Sequence, residues 1–387
     1  MTNFFKQVLF WIVVSSISFT AQAITPAAPS LSAKSFVLMD YDSGKIIVEH
    51  NPDMPVPPAS LTKMMTGYVV SEEISAGNLK LTDQVQISKN AWAQNPKFKG
   101  SSLTWVEVNT QVSVDDLLKG VIIQSGNDAS VALAEHIAGS EDVFAELMNQ
   151  HARKLGMLNT HFENSSGLPA EGQLSTAKDL AILTAAMIRE HPEEYVLYKE
   201  KWFTYNGIKQ PNRNSLLWDE SLNVDGVKTG HTDAAGFCLV SSATKDEMRL
   251  ISVVMGTNSK NTRKVESKKL LSYGFRFFET VQPLQAGKLL HQQKIWMGDK
   301  EIVDLGISQN IFLTIPRGKA KSLKARYVVE KNIEAPINKG QLVGKVFFSL
   351  GEEDIAEYPL VALEEIKEAG VFGRMSDSVS RWFESLF

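Results

Sequence analysis

Cysteine is nearly absent from this chain: Cys238 stands alone among 387 residues. A single thiol excludes any intrachain disulfide, so the fold must be held by a packed core rather than by covalent staples. Its strand-like surroundings assign Cys238 the role of a small buried hydrophobe. Positive charge is not in excess either. The 40 Lys and Arg against 44 Asp and Glu give a formal charge of −4, which lacks the basic footprint of a nucleic-acid binder. Long apolar runs are lacking too. The stretch from Val8 to Phe19 falls short of the ~20 residues that span a bilayer. It follows Lys6 and precedes Ala21-Gln22-Ala23, the pattern of a secretory signal with a small-x-small cleavage site. Residues 1–23 are therefore expected to be a signal peptide, removed on export. Internal repeats and low-complexity segments are missing, and no cofactor or metal is expected.

What the chain does have is three short motifs in a fixed order: Ser60-Leu61-Thr62-Lys63, Ser125-Gly126-Asn127 and Lys228-Thr229-Gly230. Singly they are weak signals. S-x-x-K recurs at Ser175 to Lys178 and Ser242 to Lys245, and S-x-N recurs from Ser88, Ser221, Ser259 and Ser308. Context selects Ser60. The turn Pro55-Val56-Pro57-Pro58 precedes it and an apolar run from Met64 to Ile74 follows, so a helix opens at the serine. Lys63 then shares a helix face with Ser60, at roughly 5–6 Å between Cβ atoms. Ser175, by contrast, precedes a capping box, Thr176-x-x-Asp179, which points Lys178 to solvent.

A serine hydroxyl needs a base to become a nucleophile, and Lys63 is the candidate once burial and a neighbouring cation, Lys228, disfavour its charged form. Ser125 and Asn127 are expected in a tight inter-helix loop, where the serine relays a proton and the asparagine holds the substrate amide or the base. Lys228-Thr229-Gly230 closes a strand. Its glycine is expected to let a peptide lie along the strand edge. The N–H groups of Ser60 and His231 form a candidate oxyanion hole, with the His231 side chain read as structural.

Strand-like runs at Lys34–Asp40 and Lys45–His50 are followed by a helical block between Ser60 and Glu190. Strands return after Tyr205-Asn206-Gly207, and a helix runs from Asn261 to Phe278. This is an α+β pattern, a sheet with a helical insert, over residues 30–280. Residues 281–363 read as a small all-β domain. Residues 364–387 carry Val371, Phe372, Met375, Val379, Trp382, Phe383, Leu386 and Phe387 at helical spacing, an amphipathic helix suited to lying in a membrane surface.

The three motifs, the stretches Asn212 to Asp219 and Asn223 to Thr232, and the terminal helix together resemble the low-molecular-mass penicillin-binding D-alanyl-D-alanine carboxypeptidases, class C type 5. The resemblance implies a β-lactamase/transpeptidase-like domain, a β-rich stalk and an anchor on the periplasmic face of the inner membrane. It implies removal of terminal D-Ala from peptidoglycan pentapeptides through an acyl-Ser60 intermediate, with β-lactams as acylating inhibitors. It adds Arg213 and Arg263 to Thr229 as groups that hold the substrate carboxylate or organise the cleft. The expected catalytic set is thus Ser60, Lys63, Ser125 and Asn127, and the substrate-binding set Lys228, Thr229, Gly230, His231, Arg213 and Arg263. One departure is Ser166-Gly167-Leu168, where relatives often show His-Gly-Leu, and it bears on how the deacylating water is positioned. A class A β-lactamase would carry Glu-x-x-Leu-Asn between the second and third motifs, and no such string occurs. A D,D-endopeptidase and a penicillin-binding scaffold that does not turn over are the alternatives.

Overall fold

Along Ser35–Asp40 every residue is buried, yet the side chains alternate between two cores: Val37 and Met39 enter one, Phe36 and Leu38 the other. A period of two buried on both faces marks a strand sandwiched between helical layers. Ile251, Val253 and Met255 repeat the first pattern, and Leu250 and Val254 the second, on the neighbouring strand. The computed structural model describes residues 26–371, 373–375 and 377; the expected signal peptide, residues 1–23, lies outside them.

The central sheet has five antiparallel strands in the order Ile46–His50, Ser35–Asp40, Met248–Thr257, Gly236–Lys245, Asn223–Thr232. The chain's first two strands and last three thus enclose the helical insert, and the strand carrying Lys228 is left at an edge. The insert comprises α1 (Thr62–Ser75), α2 (Val114–Lys119), α3 (Asn127–Ala138), α4 (Glu141–Leu155), α5 (Ala177–Glu190) and the short α6 (Pro192–Tyr195). Helix α7 (Lys260–Phe277) covers the opposite face, through Leu270, Leu271 and Phe275. Local sequence sets the helix starts. Ser113, Ser140, Thr176 and Ser259 each accept a hydrogen bond from an N–H in the first turn of α2, α4, α5 and α7, a cap that contributes about 1 kcal/mol each. Asn206 and Gly207 both have positive φ, the geometry a two-residue hairpin turn demands.

Beyond Phe278 the chain builds a third core around Ile295, Val303, Leu313, Val346, Phe348 and Leu360. Its six-stranded sheet runs Leu323–Val329, Leu342–Leu350, Glu353–Ala362, Ile302–Gly306, His291–Trp296, Ile333–Glu334, and only the last pair is parallel. The strands at Phe278–Leu284 and Ile302–Gly306 escaped the sequence reading because their apolar alternation is diluted by Glu279, Gln282 and Asp304. The segment from Glu364 to Gly370, expected in the terminal helix, is extended instead. Ile366 is fully buried, and bridges at Ile366 and Glu368 tie the segment to the β region. Helical backbone begins at Val371, and Val371 and Met375 are more than half exposed. The rest of the expected terminal helix, residues 378–387 with 372 and 376, lies outside the described residues. No helix among the described residues is long and apolar enough to cross a membrane.

Asp40 joins the central sheet to the third core. Fully buried, it accepts hydrogen bonds from the Thr280 hydroxyl, from Thr314 Oγ1 at 2.8 Å and from the N–H groups of Asp42 and Ser43 at 2.9 and 3.3 Å. Asp40→Ala strands those donors and is expected to cost roughly 1–3 kcal/mol of stability. Urea unfolding checks this, and a loss under about 0.5 kcal/mol would mean the joint does not depend on the carboxylate.

Candidate active site

Ser60 lies in a single 3-10 turn, Ala59–Leu61, that leads directly into α1. Ala59 has φ +49°, a region that costs a non-glycine residue about 1 kcal/mol or more and is tolerated where surrounding structure imposes it. Here the surroundings are two close-packed segments. A Cβ on Gly230 would stand 2.9 Å from the Pro58 carbonyl oxygen and 3.4 Å from Ala59 Cβ, and one on Gly167 (φ +82°) only 1.9 Å from the Ala59 oxygen. Both glycines clear space for the turn that carries Ser60. The sequence reading gave Gly230 a different task, making room for substrate along the strand; its missing side chain instead faces the Ser60 turn.

Lys63, one turn into the helix, is 1 % exposed. Its Nζ lies 3.5 Å from Ser60 Oγ, donates to Asn127 Oδ1 at 2.6 Å and donates to the Ser166 carbonyl. Burial takes its pKa down to about 7, with Arg213 adding to the fall and Asp128 and Glu141 pulling upward. Burial, one of the two causes expected from the sequence, is the leading one; the cation that lowers the Lys63 value is Arg213 rather than the expected Lys228. Lys228 is itself buried, donating to Ser125 Oγ at 2.8 Å and to the Thr229 carbonyl at 3.2 Å. Burial, then Lys63, Arg213 and Arg263, pushes its pKa well below the ordinary lysine value. A low-dielectric pocket resists holding both ammonium ions at once.

Ser125 takes a left-handed conformation, φ +65°, at the end of a π-helical turn, Gly120–Gln124, and Asn127 opens α3. The bent end of α2 therefore turns both side chains of the second motif inward. Asp128 holds this corner. Fully buried, its carboxylate accepts from the N–H groups of Thr104, Trp105, Val106 and Ala129 at 2.8–3.1 Å, which fastens the Ser101–Val106 loop to the start of α3. Nothing in the motif pattern pointed to Asp128, because its partners are backbone groups remote in sequence.

Ser60, Ser125, Asn127, Arg213, Thr229, Gly230, His231 and Arg263 all line one cleft of about 470 Å³, within the range of small-ligand sites. Lys63 and Lys228 stand behind its wall. Gly100, Ser101, Ser102, Gly167, Leu168, Thr232 and Lys260, none of them named as site residues from the sequence, complete the lining. Arg213 is braced by its Nε bond to the Gln124 carbonyl at 2.9 Å, and Arg263 by bonds to the carbonyls of Gly230 at 3.0 Å and Cys238 at 3.3 Å. Burial lowers both guanidinium pKa values, that of Arg263 to about 10, and a guanidinium fork suits a carboxylate. The exposed His231 ring stacks on Phe237 at 3.9 Å. Cys238 is buried beneath the strand, its thiol pushed up to about 11 by burial, which leaves it a packing residue. Of the competing S-x-x-K serines, Ser175 is buried against Thr160, and its partner Lys178 lies at the surface 3.6 Å from Asp53.

The family of D-alanyl-D-alanine carboxypeptidases, Peptidase_S11, matches residues 22–259, and the C-terminal domain of penicillin-binding protein 5 matches residues 278–368. The D-alanyl-D-alanine carboxypeptidase DacA of Escherichia coli is 50% identical over 368 residues, 95% of this chain and 91% of the relative. DacC of the same organism is 50% identical over 384 residues, 98% of this chain and 96% of the relative. The crystal structure of penicillin-binding protein 5 from Haemophilus influenzae superposes with a TM-score of 0.87 at 51% identity, covering 89% of this chain and 100% of that one. A serine beside a buried lysine, a cleft flanked by two arginines and likeness along nearly the whole length agree: the chain belongs to the D-alanyl-D-alanine carboxypeptidase family of serine peptidases.

Proposed function

We propose that Ser60 is the nucleophile with which this serine hydrolase removes the terminal D-Ala of peptidoglycan pentapeptides, and that β-lactams acylate the same oxygen. The observation that carries the reading is the setting of Lys63. A neutral amine has two N–H groups and one lone pair; Asn127 Oδ1 and the Ser166 carbonyl take the two N–H groups. The lone pair is then left for the hydroxyl of Ser60, 3.5 Å away. As Ser60 Oγ adds to the penultimate carbonyl, its proton passes to Lys63. Collapse breaks the C–N bond, and the departing D-Ala nitrogen takes that proton from Lys63 by way of Ser125, which Lys228 holds, leaving Lys63 neutral again. Water then cleaves the ester, one proton returning to Ser60 Oγ by way of Lys63.

The developing oxyanion is received by the N–H groups of Ser60 and His231. Arg213, Arg263 and Thr229 meet the terminal carboxylate, and the open edge of the Asn223–Thr232 strand receives the peptide backbone. At position 166 the contact to Lys63 comes from the backbone carbonyl, while the side chain bonds Asn164 Oδ1 at 3.3 Å. Serine there keeps the base in place. The enzyme works in the periplasm, peripheral to the inner membrane, with the amphipathic segment after Gly370 lying in the membrane surface.

Three tests follow from this reading. Incubation with a D-Ala-D-Ala-ended peptide releases free D-Ala, and Ser60→Ala abolishes both this and the penicillin adduct while the protein stays folded; release by the folded variant would exclude Ser60 as nucleophile. Lys63→Arg keeps a cation that does not deprotonate, so acylation by labelled penicillin falls at least ~100-fold, and retention of about a tenth of the rate would remove Lys63 as base. A chain ending at Gly370 moves from the membrane pellet to the soluble fraction with its acylation rate unchanged. Continued sedimentation would defeat the anchor.

A further inference from the structure

Helices α1 and α5 end side by side on a part of the molecule that the reaction does not use. Glu72 lies in the last turn of α1, Glu190 is the final residue of α5, and His191 caps α5. One ligand atom from each of these three residues falls within 4.8 Å of the others. The sequence reading expected no metal; Glu72 lies far along the chain from the adjacent pair Glu190 and His191, and the three form no ligand motif.

His191 is the informative member. It is 4 % exposed, and its buried Nε2 makes no hydrogen bond among the described residues, although Glu72 Oε1 stands 2.9 Å away. At that separation the missing hydrogen bond reflects direction: the carboxylate lies off the axis along which a ring N–H would point. Two donors on one tetrahedral zinc, each at about 2.0–2.1 Å, stand roughly 3.3 Å apart, so a shift of a few tenths of an ångström fits this pair to a shared ion. The opposite ring nitrogen, Nδ1, lies 3.3 Å from Ser75 Oγ, a partner that fixes the ring and leaves Nε2 free to ligate. Glu190 is oriented in the same way, its Oε2 accepting from the Tyr68 hydroxyl at 2.6 Å.

We infer that Glu72, Glu190 and His191 form a zinc site, with the imidazole Nε2 and two carboxylate oxygens as ligands and water in the fourth position. The local field favours a cation, since the carbonyl ends of two helices converge there and each carries a partial negative charge. Two groups oppose or modulate it. Arg189 lies 2.5 Å from Glu190 Oε1 and must swing aside for that oxygen to bind. His151, with Nδ1 3.7 Å from Glu72 Oε2, borders the site. Glu72 and Ser60 are separated along α1 and its leading turn by roughly 18 Å at 1.5 Å per residue. The metal is therefore a brace between α1 and α5 and takes no part in acyl transfer.

Calorimetric titration of the metal-stripped full-length protein in detergent with zinc alone tests this. One equivalent binds, zinc raises the melting temperature, and penicillin acylation is unchanged. Glu72→Gln and His191→Ala each weaken binding at least 10-fold and abolish the thermal shift, while His161→Ala, at an exposed histidine elsewhere, changes neither. Glu72→Gln preserves shape, and its acylation by penicillin certifies the fold if His191→Ala does not fold. Failure to bind one equivalent, or undiminished binding in Glu72→Gln, overturns the site and leaves the Ser60 chemistry untouched.

Discussion

The buried amine of Lys63 is the constraint on which the rest of this structure turns. An ammonium ion enclosed among α1, α3 and the loop at Ser166 is costly, and the protein meets that cost by letting the group lose its proton near neutrality. Two acceptors, Asn127 Oδ1 and the Ser166 carbonyl, then fix the direction of the remaining lone pair. On the proposed mechanism, burial with two acceptors, as many as the neutral amine has N–H groups, is what activates the nucleophile.

Much of the surrounding architecture serves to keep that arrangement closed. Gly167 and Gly230 let two segments press against the Ser60 turn where any side chain would collide. Asp128 gathers the backbone N–H groups of a separate loop and so fixes the start of α3, from which Asn127 reaches Lys63. Arg213 and Arg263 line the open side of the cleft, where the proposed reading has them meet a substrate carboxylate. The buried amine lies inside and the guanidinium groups lie on the cleft surface.

How much of this was legible in the sequence depends on whether the information was carried by side chains or by backbone. The helix opening at Ser60, the cap at Thr176 and the Asn206-Gly207 turn follow from short-range chemistry and were readable. The three motifs nominated Ser60, Ser125, Asn127, Thr229 and Gly230, while Arg213 and Arg263 came from the family resemblance. Ser166 acts on Lys63 through a carbonyl, Asp128 through remote N–H groups, and Gly230 through an absent atom facing another segment; none of these has a sequence signature. The extended Glu364–Gly370 segment was misread because helical spacing of the later aromatics was extrapolated backward over Ile366, which the β region buries. The grouping of Glu72 with His191 is tertiary and could not be seen before the fold.

The pH dependence of Ser60 acylation by a β-lactam, followed by intact-protein mass, tests the account most directly. Because Lys63 acts as a base only when neutral, the rate should rise with pH, pass its midpoint at about 7 and level off on the alkaline side. A rate that is flat from about pH 5.5 to about 9, or one whose midpoint lies near the ordinary lysine value of ~10.4, would contradict it.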